Sequence, residues 1–146
     1  MTAQSEIDSF EIADKLHSAA IHLLRRLRRE DESTGLNAPR LSALSVIIFG
    51  GPLSLSDLAA AEQVRPPTMT RIVNALEQQG LVIKQRDAND GRSIRLSATG
   101  AGKQLLIEGR KRRVDALAGQ ITNLDQTEQR ILREATRILS NLLAAI

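Results

Sequence analysis

Cysteine is absent from this chain of 146 residues. Its absence excludes disulfides, thiolate-bound zinc, iron–sulfur clusters and thiol-based redox sensing. Aromatic residues make up only 1% of the sequence, so the core must consist of Leu, Ile, Val and Ala. Such a core is typical of packed helices. The scarcity of aromatic side chains also argues against a protein that stacks the bases of single-stranded nucleic acid.

Long apolar runs are missing as well. No stretch approaches the roughly 20 apolar residues that a membrane-spanning helix needs, and the acidic start of the chain lacks the apolar segment of a secretory signal. We therefore expect a cytoplasmic protein without a membrane partner. No arrangement of nucleophile, base and orienting group is visible, and His17 and His22 do not have the i, i+4 spacing of a zinc pair. The sequence thus predicts no enzyme activity, no metal and no cofactor.

Positive charge is concentrated in the middle of the chain, although the formal net charge is only +3. Between Arg65 and Arg113 there are 11 Lys and Arg residues against 4 Asp and Glu residues. The remainder carries 9 basic against 13 acidic side chains. A basic middle in a nearly neutral chain indicates a polyanionic partner.

Apolar spacing and turn residues predict a single, mainly helical domain over residues 1–146 with a small β-hairpin. The predicted order is helix α1 (5–30), helix α2 (38–50), strand β1 (52–53), helix α3 (55–63), helix α4 (66–79), strand β2 (81–86), a wing, strand β3 (92–97), helix α5 (98–122) and helix α6 (125–146). Capping boxes are expected at three of the helix starts: Ser5 with Asp8, Ser54 with Asp57, and Asp125 with Glu128.

Helices α3 and α4 form a helix-turn-helix pattern, in which the second helix enters a DNA major groove. One face of α4 is apolar and should face the core: Met69, Ile72, Val73 and Leu76. The other surface carries the residues that we expect to contact DNA: Arg65, Pro67, Thr68, Thr70, Arg71 and Asn74. Arg can bind guanine, Asn can bind adenine, and a Thr methyl group can touch thymine. The N–H groups at the helix N-terminus can bind a phosphate. An ordinary amphipathic surface helix is the alternative.

The segment KQRDANDGRSIRL predicts a hairpin that follows α4 directly and turns at Asp90-Gly91. Five of its residues are expected to contribute to DNA binding as a wing: Lys84, Arg86, Asp90, Arg92 and Arg95. We expect Arg92 to enter the minor groove, where a narrow groove concentrates negative potential. Lys84 and Arg95 should lie on the polar face of the hairpin and touch phosphates.

Carboxylates in such a wing need a partner, because DNA repels them. We expect Asp87 or Asp90 to form an ion pair that fixes the wing. The partner should be Arg86 or Arg92. A solvated charged hairpin is the alternative for the whole segment. Two further basic runs, 25–29 and 110–113, are interpreted as solvated or dipole-compensating charges, with extra phosphate contacts as the alternative.

Several of these motifs together resemble the DNA-binding region of the MarR family, the multiple-antibiotic-resistance regulators. The matching pieces are DLA, PPTMTRIVNALEQQGLV, the wing RDANDGR and the LSATG that opens the next helix. The Asp-x-Arg element of the family's wing falls on Asp90 and Arg92. The helix order extends the resemblance over almost the whole chain.

This resemblance implies a winged helix-turn-helix homodimer that binds a pseudo-palindrome and usually represses genes. It also implies that a small molecule, often phenolic, can release the DNA; the sequence names neither this effector nor its pocket. Residues 1–36 and 122–146 would dimerise, 37–100 would form the DNA-binding region, and 101–121 would connect them. The expected dimer contacts are Ile7, Phe10, Leu16, Ile131, Ile138 and Leu142.

Alternatives remain at two levels. The apolar stripes of the terminal helices need a partner, but packing within one chain could supply it. At the level of function, a winged-helix module that docks on an acidic protein and a non-specific architectural DNA binder are the competing hypotheses. Binding to duplex DNA at physiological salt distinguishes a DNA-binding protein from the docking module, and equal affinity for all sequences identifies the architectural binder.

Overall fold

The computed structural model describes residues 8–146 as a mainly helical chain with one small antiparallel sheet. The elements in chain order are α1 (Ser9–Leu27), the 3-10 helix η1 (Arg28–Thr34), α2 (Ala38–Gly50), β1 (Leu53–Ser54), α3 (Leu55–Ala61), α4 (Pro66–Gln78), β2 (Val82–Arg86), β3 (Ile94–Ala98), α5 (Gly100–Thr122) and α6 (Gln126–Ala145). This order confirms the predicted fold class. The 3-10 helix was not predicted, because its sequence resembles a simple helix end.

Two of the three predicted N-caps are confirmed. Ser54 accepts from the N–H of Asp57 at 3.0 Å, without the reciprocal bond of a capping box, and Asp125 forms the full box with Glu128. The Asp125 carboxylate accepts from the N–H of Glu128 at 2.8 Å while the Glu128 carboxylate accepts from the N–H of Asp125 at 3.1 Å. The predicted start of α1 was wrong, because the helix begins at Ser9 and its N-cap is Asp8, which accepts from the N–H of Phe10. Ser5, the expected cap, lies outside the described residues.

The hydrophobic core belongs to the segment from α2 to β3, here called the winged unit, rather than to the terminal helices α1 and α6. Its largest fully buried side chains are Leu44, Ile47, Leu58, Met69, Val73, Leu76, Val82 and Leu96. They come from α2, α3, α4 and the sheet. Helices α1 and α6 contribute no buried residue. Since burial of apolar surface is the main stabilising contribution to folding, the winged unit is the stable part of a single chain.

The sheet has the strand order β1-β3-β2, and its register assigns each side chain to a face. Lys84 lies opposite Leu96, and Gln85 lies opposite Arg95. Leu96 is buried, so Lys84 lies on the core face and Arg95 on the other face. The expectation that both point to one polar face was therefore wrong. Inside β2 the inward residue is Val82, which is 1% exposed, while Ile83 is 40% exposed.

A tight joint connects the end of α4 to the start of α5. Gly80 adopts a left-handed φ of 72° and turns the chain into β2. Thr99, the N-cap of α5, donates from its hydroxyl to the carbonyl of Gly80 at 2.6 Å and from its N–H to the carbonyl of Leu81 at 3.0 Å. Gly102 is buried here, and a Cβ on it would lie 2.3 Å from the Leu81 oxygen. The turn that follows α4 is thus tied directly to the start of α5.

The basic run at 110–113 secures η1 against α5. Arg113 forms an ion pair with Asp31, and Arg112 donates to the carbonyl of Glu30 at 3.4 Å. Lys111 pairs with Asp115 one turn along its own helix. At least three of these charges are therefore engaged within the protein. Among residues 8–146, no helix combines the length and the apolar character that crossing a membrane requires.

Candidate nucleic-acid interface

The turn between α3 and α4 fixes the angle at which the second helix is presented. Gln63 takes a left-handed φ of 55°, and the N–H of Val64 donates to the carbonyl of Ala59 at 3.0 Å. Beneath the turn, Leu58 of α3 packs in the same buried cluster as Met69 and other residues of α4. The outer surface of α4 is therefore held by a packed inner face.

The two faces of α4 agree with the sequence-based assignment. Three of the four predicted core residues, Met69, Val73 and Leu76, are buried, and Ile72 is half-buried. All six residues expected to contact DNA are exposed: Arg65, Pro67, Thr68, Thr70, Arg71 and Asn74. They occupy the N-cap and the first two and a half turns, the part of a recognition helix that usually meets base edges.

Within this face the side chains differ in how they are engaged. The Thr70 hydroxyl donates to the carbonyl of Pro66 at 2.9 Å. Asn74 accepts through Oδ1 from Nζ of Lys84 at 2.6 Å. The guanidinium of Arg71 makes no hydrogen bond or ion pair with any residue in the range 8–146. Neither Arg71 nor Arg65 uses its guanidinium donors within the described residues, so all of these donors can go to a ligand.

The N-terminus of α4 offers fewer phosphate-binding groups than we expected. Pro66 and Pro67 occupy the first two helical positions, and proline has no N–H. The N–H of Met69 already donates to the carbonyl of Arg65 at 3.1 Å. In the first turn this leaves the N–H of Thr68. The prolines start the helix with fixed φ angles, but they remove donors from the site where an anion would bind.

The wing tip is organised around Asp87. Its carboxylate accepts from the N–H of Asn89 at 2.9 Å and from Nε of Arg95 at 3.0 Å. The Asn89 N–H, and after it the Arg95 guanidinium, holds the pKa of Asp87 below its ordinary value. The N–H of Asp87 also donates to the carbonyl of Ser93 at 2.8 Å, which closes the base of the tip.

The predicted ion pair of the wing exists, but its cation was predicted wrongly. Asp87 pairs with Arg95, not with Arg86 or Arg92. Arg95 donates a second hydrogen bond, from Nη1 to the carbonyl of Pro52 at 3.2 Å, and so connects the wing to the residue that precedes β1. Asp90 instead accepts from the backbone N–H of Arg92 at 3.1 Å, which leaves the Arg92 side chain exposed at the tip. Arg86 is exposed at the end of β2.

Apolar side chains of the terminal helices are exposed in the single chain. Phe10 is 78% exposed in α1, and Ile131, Ile138 and Leu142 are 65%, 53% and 47% exposed in α6. Leu16 is half-buried, and Ile7, the sixth expected dimer residue, lies outside the described residues. Packing within one chain therefore leaves the apolar stripes of α1 and α6 largely uncovered. This argues against the alternative that the two stripes cover each other in the monomer.

Two residues of the site were missed by the sequence reasoning. Glu77 lies 3.6 Å from the ammonium of Lys84 and flanks the contact with Asn74. Thr99 ties the end of α4 to α5. The N-cap role of Thr99 could have been inferred from the helix that follows it. The position of Glu77 depends on how β2 crosses α4, which no local pattern encodes.

A helix-turn-helix followed by a β-hairpin with arginines at its tip defines the winged-helix class of DNA-binding proteins. A family profile described as the MarR family matches residues 36–94. An HTH-type transcriptional regulator of Mycobacterium tuberculosis is 33% identical over 132 residues, which is 90% of this chain and 92% of that relative. The chain belongs to the MarR family of DNA-binding transcriptional regulators.

Solved structures share this fold. A transcriptional regulator of Thermotoga maritima superposes with a TM-score of 0.84 at 19% identity, covering 94% of this chain and 96% of the other. A variant of MepR from Staphylococcus aureus, solved bound to an oligodeoxyribonucleotide, superposes with a TM-score of 0.71 at 18% identity, covering 90% and 97%. The relative from Mycobacterium tuberculosis is a transcriptional regulator, which agrees with the prediction that the chain is not an enzyme.

Proposed function

We propose that this regulator is a repressor that binds a pseudo-palindromic operator as a homodimer. The observation that carries the proposal is the exposed face of α4, which presents Arg71 and Asn74 above a packed core and next to an arginine-bearing wing. Arginine on guanine is the commonest specific contact in protein–DNA complexes. A dimer bound across a promoter would exclude the polymerase by occupying the same DNA.

The proposed DNA contacts divide into base-reading and phosphate-binding sets. Arg71 and Asn74 contact base edges in the major groove, and the methyl groups of Thr68 and Thr70 contact thymine. Arg92 enters the neighbouring minor groove from the wing tip. The phosphate set is Arg65, Arg86 and Arg95, with Pro67 packed against the backbone. Arg95 has donors beyond the two that it uses within the protein.

The proposed dimer forms through the terminal helices, residues 1–36 and 122–146, with 101–121 connecting them to the winged unit over 37–100. The exposed stripe of α6 supports this proposal, because a helix with no buried residue gains little stability from a single chain. A second copy would cover Phe10 and Ile138 together with the rest of the stripe. Two winged units held in this way would meet half-sites about 10 base pairs apart.

We also propose that a small molecule releases the DNA. A cavity of about 430 Å³ lies between α1, η1, α2 and α5. Its lining combines apolar and charged side chains: Leu24, Leu36, Leu41, Leu106, Arg28 and Arg113. This volume and mixed lining suit a small organic ligand. The cavity lies between the terminal helices and the winged unit. A ligand that binds one relative arrangement of these parts better than another would therefore change the distance between the two recognition helices of the proposed dimer.

The test of the proposed repression starts from genomic DNA. Purified protein is mixed with sheared host DNA at about 0.15 M salt, where phosphate contacts alone bind weakly, and the retained fragments are sequenced. The recovered promoters are then transcribed in vitro with and without the protein. Enriched promoters whose transcription falls support repression, whereas rising transcription identifies an activator. Retention without enrichment would favour an architectural binder, and no retention would favour a docking module.

A further inference from the structure

Lys84 is directed at the recognition helix α4, not away from the protein. Its ammonium donates to Oδ1 of Asn74 at 2.6 Å and lies 3.6 Å from a carboxylate oxygen of Glu77. An ammonium group has donors only, so the amide atom that faces it must be the oxygen. The Nδ2 group of Asn74 therefore points elsewhere, with its two hydrogens available to a ligand.

The fold accounts for this contact. Lys84 lies opposite Leu96 in the sheet register, and the alternation of the strand places it on the core face, two residues beyond buried Val82. In α4, Asn74 and Glu77 each follow a buried residue by one position and are therefore rotated by about 100° from the core. Both lie at the edge of α4 that β2 approaches. A long side chain at position 84 can reach both.

The charge of Lys84 is largely committed to these two partners. Its side chain is 32% exposed, and the Glu77 carboxylate offsets the positive charge that a phosphate would otherwise attract. Neither feature suits a residue whose main role is to neutralise the DNA backbone. Both suit a residue that fixes the orientation of the neighbouring amide.

We infer that Lys84 is a positioning residue that makes Asn74 a hydrogen-bond donor in the major groove, so that Asn74 prefers guanine to adenine. The inference rests on the proposed operator binding. Adenine recognition by Asn needs Oδ1 as an acceptor for the N6 amino group and Nδ2 as a donor to N7. At Asn74 the ammonium occupies Oδ1 and repels a second donor. Guanine presents two adjacent acceptors, O6 and N7, to the free Nδ2 hydrogens.

The test measures dissociation constants for an operator obtained by selection and for every single base-pair substitution in one half-site. Asn74→Ala first identifies the base pair that Asn74 contacts, because discrimination is lost there. The wild-type protein should prefer guanine at that position. Lys84→Met should shift the ratio of guanine to adenine affinity by about tenfold towards adenine, at that base pair and at no other. Lys84→Arg, which keeps a cationic donor, should retain the preference for guanine.

Three results would overturn the inference. The first is a wild-type preference for adenine at the Asn74 base pair. The second is a uniform loss of affinity in Lys84→Met with a salt slope smaller by about 1, which identifies a phosphate contact. The third is an unchanged base profile in Lys84→Met and also in Lys84→Gln, a second neutral variant measured in case the first is poorly folded. Failure of the proposed function is recognised separately, because the wild-type protein would then discriminate at no position.

Discussion

Arg95 donates from Nε to Oδ2 of Asp87 across 3.0 Å, and this contact joins strand β3 to the start of the wing tip. The same guanidinium donates from Nη1 to the carbonyl of Pro52, the residue before β1, and so ties the hairpin to the remaining strand of the sheet. A hairpin of two strands is marginally stable by itself. The Asp87–Arg95 contact therefore stabilises the wing in the orientation in which Arg92 is presented.

We expect Asp87→Asn and Arg95→Ala to loosen the tip without unfolding the protein. Removal of the contact should raise the exchange rates of the amides of Asn89 and Ser93, measured by NMR. In Asp87→Asn it should also weaken operator binding by about threefold to tenfold, because Arg92 must then be ordered when DNA binds. Arg95→Ala should weaken binding further, because the proposed phosphate contact of Arg95 is lost as well. Gln85→Ala, on the same face of the hairpin as Arg95, is the matched control. Unchanged exchange in both variants would contradict the role assigned to this pair.

The same pair gives the wing a pH dependence of known sign. The pKa of Asp87 is lowered below its ordinary value of 3.8 by the N–H of Asn89 and then by Arg95. A carboxyl group whose pKa is lowered in the folded state stabilises that state at pH values above its ordinary pKa. This contribution is lost as the pH falls through the pKa of the folded state. Amide protection at the tip should therefore be constant from neutral pH down to about pH 5 and should fall only below about pH 4. Asp87→Asn should abolish this step.

Arg71→Ala and Arg92→Ala should each weaken specific binding by about 1–3 kcal/mol, and each should relax discrimination at its own position. The positions should differ, because Arg71 is proposed to contact the major groove and Arg92 the flanking minor groove. Fluorescence anisotropy on substituted operators measures both effects. Lys15→Gln, which removes a charge from α1, is the control for overall charge. Equal losses on all sequences would assign both arginines to the phosphates instead.

Ile138→Glu should convert the proposed dimer to a monomer, because it places a charge within the exposed apolar stripe of α6. The monomer should keep its winged unit, whose core lies elsewhere, but should lose operator binding. Sedimentation velocity measures the dissociation to a monomer, and circular dichroism measures whether the winged unit stays folded. Ser140→Glu introduces the same charge about half a turn around the helix and should remain dimeric. A dimeric Ile138→Glu protein would contradict the proposed interface.

Gly102→Ala should lower the free energy of unfolding by about 1–3 kcal/mol, because its Cβ would overlap the carbonyl of Leu81 and force backbone atoms apart. Urea denaturation measures the loss. A Cβ at Gly100, two residues earlier in the same helix, has no atom within 4 Å, so Gly100→Ala should be as stable as the wild type. Equal effects of the two substitutions would argue that helix α5 does not approach the carbonyl of Leu81 as closely as described.

Ser45→Leu should fill the proposed effector cavity, which Ser45 lines from α2. DNA affinity should be retained, because the added side chain lies away from α4 and the wing. A panel of small phenols and aromatic acids is screened by thermal shift against the wild type, and the compounds that raise its melting temperature are then tested for DNA release. The variant should respond to none of them. A variant that responds as the wild type does would place the effector in another site.

The order of the α-helices and strands could be predicted because most of their boundaries have a local chemical marker. Asn37, Ser54, Thr99 and Asp125 cap helices, Pro66 starts one, and Gly80 ends one with a left-handed φ. The exposed face of α4 followed from helical periodicity alone. The presence of a charged wing followed from its turn residues and its position after α4.

The side-chain partners could not be predicted, because they depend on how elements cross. In LVIKQR three apolar residues are adjacent, so alternation alone does not select which of them faces the core. That choice is set by the turn at Gly80 and by the hydrogen bond from the N–H of Leu81 to the carbonyl of Leu76. The resulting register turns Lys84 towards Asn74 and leaves Arg95 for Asp87. A shift of β2 by one residue would turn Lys84 to the opposite face of the sheet, away from Asn74.

The most direct test of operator recognition is a selection of bound sites from random duplex DNA by the purified protein at about 0.15 M salt. The account predicts an enriched inverted repeat whose half-sites lie about 10 base pairs apart, centre to centre. Arg71→Ala should broaden that repeat inside each half-site. Recovery of no enriched sequence by a folded wild-type protein would contradict the central claim of dimeric, sequence-specific binding.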